Sequence, residues 1–151
     1  KYVKHENLNE LSEDLINKIL DINIKGPIYC SQIFLDLLKQ SSEAQIINIA
    51  SIAGLTGQGS NIAYCASKAA LINITKSLAR SLAPIRVNAI SPGMIETGFV
   101  KFPDGYTENT VLKTPLNRSG QPIDIAEVAW SLIKSKFITG ENIVVDGGLI
   151  L

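Results

Sequence analysis

Tyr64 and Lys68 are the residues of this chain whose types and spacing best suit acid–base chemistry. They stand four positions apart in a segment of helical periodicity, which places them on one helix face. A free phenol has a pKa of about 10, and a nearby ammonium lowers that pKa because it stabilises the phenolate. The pair therefore indicates a general acid/base group. The alternative is a buried tyrosine beside a surface lysine, since Tyr-x-x-x-Lys is a common spacing.

Ser51 strengthens the catalytic interpretation of that pair. It lies thirteen residues before Tyr64, just past the carboxyl end of a predicted strand. Ligands of open α/β sheets bind outside the carboxyl ends of the strands. A loop of this length can return the chain to a helix beside the strand end, where the Ser51 hydroxyl could donate to a substrate oxygen. The alternative is a loop serine that makes a local turn.

Asn23 is a further candidate, because Pro27 follows it by four residues within a predicted helix. Proline has no N–H, so a helix here leaves the Asn23 carbonyl without its usual partner. A buried carbonyl needs a hydrogen bond, and a water molecule could supply it. The alternative is a simple packing kink at Gly26-Pro27.

Apolar periodicity predicts the elements that position these residues. Helices alternate with strands: helices over 13–40, 63–82 and 124–136, strands over 45–50, 86–90 and 142–146. Ser12 is the predicted N-cap of the first helix, and Gly26-Pro27 interrupts it. A glycine-rich loop over 52–60 and an irregular stretch over 94–120 separate other elements. Nearly continuous apolar strands favour an α/β fold with a parallel sheet covered by helices on both faces.

Composition excludes several classes of protein. The 151 residues carry 14 Lys+Arg and 14 Asp+Glu, and 46% are apolar. This balance is unlike a disordered chain and lacks the basic surplus of a nucleic-acid binder. There is no apolar run long enough to span a membrane, and the first residues do not resemble a signal peptide. Cys30, Cys65 and the single histidine, His5, suggest no disulfide framework or metal site, so we expect a cytoplasmic protein.

Several ordered motifs together carry a resemblance to a known family. They are Asn48-Ile49-Ala50-Ser51, Tyr64-Cys65-Ala66-Ser67-Lys68, Arg86-Val87-Asn88, Pro92-Gly93-Met94-Ile95-Glu96-Thr97 and Ile138-Thr139-Gly140 through Asp146-Gly147-Gly148. From about Leu8 onward, the chain resembles the short-chain dehydrogenase/reductase family. The resemblance is to its classical type, which includes the 3-oxoacyl-[acyl-carrier-protein] reductases. It implies a Rossmann-like fold and hydride transfer between a nicotinamide and a carbonyl or secondary alcohol.

The resemblance also implies roles for individual residues. Asn23, Ser51, Tyr64 and Lys68 match the family's catalytic positions. In the family, the tyrosine exchanges the alcohol proton and the serine polarises the carbonyl oxygen. The lysine lowers the tyrosine pKa and holds the nicotinamide ribose, while the asparagine main chain holds a water molecule of the proton relay.

Further residues match positions that contact the cofactor and the substrate. The implied cofactor, NAD or NADP, would contact Tyr64, Lys68, Pro92, Gly93, Ile95 and Thr97. The implied substrate contacts are Ser51, Met94 and Phe99, with Phe102 and Tyr106 as further candidates for an apolar wall. The alternative for these aromatic residues is ordinary loop anchoring. Neither the choice between NAD and NADP nor the substrate follows from the residues present.

The family pattern predicts that residues 1–151 are a partial NAD(P)-binding Rossmann-like domain, its carboxyl-terminal catalytic half. The glycine-rich turn that holds the pyrophosphate is not recognisable, because Gly54, Gly57 and Gly59 follow a different spacing. We therefore expect on the order of 100 further residues upstream, three βα units and a strand. The first strand of this chain would then lie at an uncovered sheet edge.

Two alternatives to an oxidoreductase remain open at this point. The chain could be a non-catalytic fragment that self-assembles through its sheet edge and long helices without binding a dinucleotide. It could also be a regulatory domain that kept the fold. Family members build homodimers or homotetramers through the helices that correspond to 13–40 and 63–82, so we expect an oligomer.

Overall fold

A parallel sheet of three strands forms the centre of the computed structural model, which describes residues 7–98 and 104–151. The strands are β1 (Gln45–Ile49), β2 (Arg86–Pro92) and β3 (Asn142–Val145), in the order β1-β2-β3. Ile90 of β2 pairs with Ile49 of β1 and with Ile143 of β3. The predicted α/β class is confirmed, and each predicted strand lies within two residues of its observed bounds.

Seven α-helices and two other helical turns accompany the sheet in the described ranges. The α-helices are α1 (Glu13–Leu20), α2 (Gly26–Ile33), α3 (Leu35–Leu38), α4 (Ala53–Thr56), α5 (Ile62–Ser81), α6 (Tyr106–Lys113) and α7 (Pro122–Lys134). A 3₁₀ turn covers Leu8–Glu10, and a π-helical turn covers Asp21–Lys25.

The first predicted helix is divided into α1, the π-helical turn, α2 and α3. Ser12 caps it as predicted, since its hydroxyl accepts a hydrogen bond from the Leu15 N–H at 3.3 Å. The predicted interruption takes the form of the wide π turn, in which the Gly26 N–H donates to the Asp21 carbonyl. Helix α2 then begins with Gly26 and Pro27, and proline is favoured in the first turn of a helix.

The glycine-rich segment 52–60 is more ordered than the loop that the sequence predicts. It contains α4, which lies directly against α5. A Cβ on Gly54 would lie 2.6 Å from the Lys68 carbonyl carbon and from the Ala69 nitrogen. Glycine is thus required by the close approach of two helix backbones. Gly57, with φ of +70°, ends α4 in the left-handed conformation.

The prediction of an irregular stretch over 94–120 is wrong for α6. Thr and Asn have low helix propensity, so apolar periodicity alone does not predict this helix. Two side-chain hydroxyls donate to backbone carbonyls of this segment. The Thr110 hydroxyl donates to the Tyr106 carbonyl at 2.8 Å, and the Thr114 hydroxyl, just past the end of α6, donates to the Thr110 carbonyl at 2.9 Å.

Strand β2 forms the core of the sheet. Four successive side chains, Val87, Asn88, Ala89 and Ile90, are completely buried. Because successive side chains of a strand point to opposite faces, both faces of β2 are covered, by helices that include α5 and α7. The outer edge of β1 is open by comparison, and Ile49 at its end is 48% exposed.

Candidate active site

The carboxyl ends of the three parallel strands meet at one edge of the sheet, where the candidate residues follow them. The Ile52 N–H, next to Ser51, donates to the Pro92 carbonyl at 3.1 Å. The Gly93 N–H donates to the Val145 carbonyl at 2.9 Å. Ser51 and Pro92-Gly93 therefore lie on neighbouring strand ends, as the sequence predicts.

Helix α5 carries Tyr64 and Lys68 toward this edge. Its N-cap is Asn61, a side chain only 2% exposed, whose oxygen accepts from the Tyr64 N–H at 2.8 Å. The Lys68 ammonium lies 5.7 Å from the centre of the Tyr64 ring. The predicted proximity of the two side chains is therefore present in the structure. Asn61, which fixes the first turn of α5, has no role in the sequence-based prediction, although Asn is a common N-cap residue.

Ser51 lies close enough to the Tyr64 phenol for its hydroxyl to act to lower the pKa of that phenol. Burial of the ring has the larger effect and raises the pKa of Tyr64 above its ordinary value of 10.0. The Ser51 hydroxyl also accepts a hydrogen bond from the Ala53 N–H at 3.1 Å. Ser51 thus makes the local turn of one interpretation, and its position beside Tyr64 leaves the donation to a substrate oxygen as a prediction.

The expected lowering of the Tyr64 pKa by Lys68 is not what the structure shows. The Lys68 ammonium donates to the Ile49 carbonyl at 2.7 Å, and burial lowers the pKa of this lysine. Burial of the phenol is the largest effect on Tyr64, and it raises the pKa of this residue.

Asn23 is brought to the same helix from the π-helical turn. Its amide nitrogen donates to the Ser67 hydroxyl at 3.0 Å, and this hydroxyl donates to the Tyr64 carbonyl at 2.8 Å. All four sequence-predicted catalytic residues therefore lie on or against α5 and the end of β1. Ser67 was missed as a functional candidate; its place between Tyr64 and Lys68 in the motif is the signal that could have found it.

The segment after β2 is held by a short parallel bridge between Ile95 and Gly120. The Glu96 N–H donates to the Gly120 carbonyl at 3.0 Å, and the Gly120 N–H donates to the Met94 carbonyl at 2.9 Å. On this side of the bridge, the two hydrogen bonds are made by the Met94 carbonyl and the Glu96 N–H. The N–H and carbonyl of Ile95 itself consequently face the side opposite Gly120.

Met94 and Ile95 also line a cavity of about 170 Å³, together with Leu116, Arg118, Asp124 and Asp146 among others. Arg118 and Asp124 form two hydrogen bonds of 2.8 Å across it. The lining described for this cavity does not include Ser51, Tyr64 or Lys68.

The remaining predicted contacts are less informative. Thr97 follows the bridge, and Tyr106 begins α6 with 37% of its surface exposed. Phe99 and Phe102 lie outside the described residues, as does His5. In residues 7–98 and 104–151, no group of three or more His, Cys, Asp or Glu side chains could hold a metal ion. None of the helices in those ranges is long and apolar enough to cross a membrane.

Comparisons with known proteins give matches along nearly the whole chain. The model of the enoyl-(acyl carrier protein) reductase family matches residues 1–150. A 3-oxoacyl-[acyl-carrier-protein] reductase of Thermotoga maritima is 34% identical over 149 residues, which are 95% of this chain and 61% of that protein. A short-chain dehydrogenase/reductase homolog of Bacillus subtilis, YusR, is 36% identical over 129 residues, 85% of this chain and 100% of that protein.

Solved structures show the same similarity. A short-chain dehydrogenase from Leptospira borgpetersenii with bound NAD⁺ superimposes with a TM-score of 0.87 and 32% identity, over 100% of this chain and 61% of that one. The chain therefore spans about 61% of the length of the Thermotoga and Leptospira proteins and the whole length of YusR.

Proposed function

Because the chain belongs to the short-chain dehydrogenase/reductase family, we propose that it carries the catalytic residues of an NAD(P)-dependent oxidoreductase. The reaction transfers a hydride between the nicotinamide and a carbonyl or secondary alcohol of a small molecule. The convergence of Ser51 and Tyr64 beside the Lys68 ammonium, which contacts the Ile49 carbonyl at the end of β1 and lies over the Tyr64 ring, is the observation that carries this proposal. It brings a phenol and a hydroxyl together at the carboxyl edge of the sheet, where a substrate oxygen can contact both.

Each residue of this group has a part in the proposed reaction. Tyr64 gives its phenolic proton to the substrate oxygen during reduction and takes it back during oxidation. Ser51 donates a hydrogen bond to the same oxygen and so stabilises the charge that develops there. Lys68, one helical turn further on, binds hydroxyl groups of the cofactor ribose. The Asn23 main chain, tied to α5 by the bond from the Asn23 side chain to Ser67, holds the end of the proton relay.

The residues after β2 fit the nicotinamide end of NAD or NADP. A carboxamide has two donor hydrogens and an acceptor oxygen, and the bridge to Gly120 directs the N–H and carbonyl of Ile95 away from Gly120. Ile95 can therefore exchange two hydrogen bonds with that group, while Pro92, Gly93 and Thr97 enclose it. The cofactor supplies the hydride, and the chain supplies the proton and the orientation.

We further propose that residues 1–151 form the catalytic part of a larger Rossmann-like domain, whose glycine-rich part completes the pyrophosphate site. The coverage of 61% of the Thermotoga reductase supports this organisation. A cytoplasmic location fits Cys30 and Cys65, which form no disulfide.

A homo-oligomer is part of the proposal. Apolar side chains project from α2 and α3 in the region predicted to form the interface: Tyr29 is 56% exposed, Ile33 is 74% exposed and Leu37 is 63% exposed. Tyr29 and Ile33 lie four residues apart on one side of α2, and Leu37 follows four residues later on α3. Contact with a second copy would remove this surface from water.

Substitution of Tyr64 by Phe in the full-length polypeptide tests the proposed function. This change removes the proton donor and keeps the ring, so we expect turnover of carbonyl substrates to fall by about 10³-fold with the fold retained. Tyr29→Phe is the matched control, because it removes an exposed phenol on α2 that belongs to none of the proposed catalytic positions. Undiminished turnover in Tyr64→Phe would exclude the assigned role.

The open edge of β1 favours one second candidate, a non-catalytic unit that assembles through this edge. Ile49 is 48% exposed there. Calorimetric titration of the 151-residue chain with NADH and NADPH tests the second candidate. Dinucleotide binding by the isolated chain contradicts the second candidate.

A further inference from the structure

Ser67 lies on α5 between Tyr64 and Lys68, and its side chain is completely buried, with 0% exposed. Its hydroxyl accepts a hydrogen bond from the Asn23 amide and donates one to the Tyr64 carbonyl. We propose that Ser67 is a positioning residue, which anchors Asn23 to the turn of α5 that carries Tyr64. This inference rests on the proposed function, in which Asn23 and Tyr64 belong to one proton relay.

The hydrogen-bond chain requires a hydroxyl at position 67. The Asn23 NH₂ group only donates, and the Tyr64 carbonyl only accepts. The group between them must therefore accept on one side and donate on the other, at distances of 3.0 and 2.8 Å. Serine and threonine meet this requirement and alanine meets neither part of it.

Asn23 needs such an anchor because its own backbone is not held by an ordinary helix. It lies in the π-helical turn Asp21–Lys25, where the Gly26 N–H reaches back five residues to the Asp21 carbonyl. Pro27 has no N–H to offer the Asn23 carbonyl. The bond from the Asn23 side chain to Ser67 ties this turn to α5, and so fixes where the Asn23 main chain lies relative to Tyr64.

Helix α5 contains a second buried hydrogen-bond chain of the same type, and none of the proposed catalytic residues takes part in it. Two turns beyond Ser67, the Thr75 hydroxyl accepts from the Asn48 amide at 2.9 Å and donates to the Leu71 carbonyl at 2.9 Å. Thr75 is also completely buried, and Asn48 is 8% exposed. This second chain ties β1 to α5, whereas the first ties the π-helical turn to α5.

These two hydrogen-bond chains allow a controlled experiment on the full-length polypeptide. Ser67→Ala and Thr75→Val each remove one buried hydroxyl and leave one asparagine amide without its acceptor, so both lower the melting temperature. In Ser67→Ala, we expect hydrogen exchange of the amides at 22–26 to accelerate about tenfold or more, because the turn opens locally. In Thr75→Val, we expect exchange at 22–26 to keep its wild-type rate.

Kinetic measurements extend the comparison to the reaction. Ser67→Ala should lower kcat by about 10- to 100-fold, with the KM for the dinucleotide nearly unchanged, because only the relay geometry is altered. Ser67→Thr keeps the hydroxyl and should restore the exchange rate at 22–26, and with it much of kcat. Thr75→Val should keep kcat despite its lower melting temperature.

Two results would overturn the inference. One is wild-type exchange at 22–26 in Ser67→Ala, which would show that the turn does not depend on this anchor. The other is an equal loss of kcat in Thr75→Val, which would make the effect one of general stability. If the wild-type polypeptide shows no turnover, the proposed function fails, and the exchange rates alone still decide whether Ser67 anchors Asn23.

Discussion

The Lys68 ammonium donates a hydrogen bond of 2.7 Å to the Ile49 carbonyl at the end of β1. The N–H of the following residue, Ala50, donates to Ile90 of β2. Backbone groups of successive strand residues point to opposite sides, so the Ile49 carbonyl faces the open edge of the sheet. Lys68 therefore satisfies an edge carbonyl. Its charge does not bring the pKa of the nearby Tyr64 below the ordinary value.

A pH titration of the chain itself checks this arrangement. Because burial raises the pKa of Tyr64, we expect one tyrosine to ionise above the ordinary value of 10.0, and Tyr64→Phe to remove that component from the phenolate absorbance. At Tyr64 the folded state binds more protons than the unfolded state in this alkaline range. The contribution of Tyr64 to the free energy of unfolding should therefore fall as pH rises above about 10, and Tyr64→Phe should lose this part of the pH dependence.

Lys68→Met tests whether the Lys68 ammonium affects the pKa of Tyr64. If Lys68 is engaged with Ile49, its removal should leave the alkaline titration of Tyr64 close to that of the unsubstituted chain. A clear further rise in the Tyr64 pKa would contradict this expectation, because it would show that Lys68 stabilises the phenolate.

Gly54→Ala should separate α4 from α5. The added Cβ would lie 2.6 Å from backbone atoms of Lys68 and Ala69, which have no freedom to rotate away. We expect a loss of about 1–3 kcal/mol in the free energy of unfolding, measured by urea denaturation. Gly26→Ala is the matched control, since its Cβ would meet only the Asp21 carbonyl at an ordinary 3.5 Å. Alanine is the better helix former, so this control should be neutral or slightly stabilising.

Periodicity predicted the strands and the long helices because each of these elements buries a regular apolar face. Helix α5 and strand β2 contribute most of the fully buried residues, and both were predicted to within a few residues of their bounds. Helix α6 was missed because most of its stability comes from tertiary contact and local hydroxyl bonds rather than from propensity. The break at Phe34, with φ of −89° and ψ of 0°, has no local sequence signal.

The sequence predicts which residues of the candidate site lie close together, but it predicts the interactions between them less well. Ser51, Tyr64 and Lys68 come together because helical spacing and the ends of parallel strands are sequence properties. The direction of the Tyr64 pKa shift was predicted wrongly, because burial of the phenol has the largest effect on it. Whether these residues have the proposed roles stays a prediction until turnover is measured.

Arg86→Met should destabilise the end of α7. The buried Arg86 guanidinium donates to the Leu132 carbonyl at 2.8 Å and to the Ser135 carbonyl at 2.7 Å. Methionine fills similar space and leaves these carbonyls without donors, so we expect a loss of about 3 kcal/mol in urea denaturation. Lys136→Ala, which breaks an exposed ion pair with Glu43, should cost less than about 1 kcal/mol. Similar losses in both variants would argue against buried capping by Arg86.

Ile33→Glu tests whether the apolar side of α2 and α3 contacts a second copy. Ile33 is 74% exposed, so glutamate at this position should leave the isolated fold intact and place a charge in the proposed interface. We expect the full-length polypeptide to shift to a smaller species in sedimentation-velocity measurements. Leu112→Glu, at a side chain 79% exposed on α6, carries the same charge outside the proposed interface and should sediment like the unsubstituted protein. An unchanged oligomer in Ile33→Glu would place the subunit contact elsewhere.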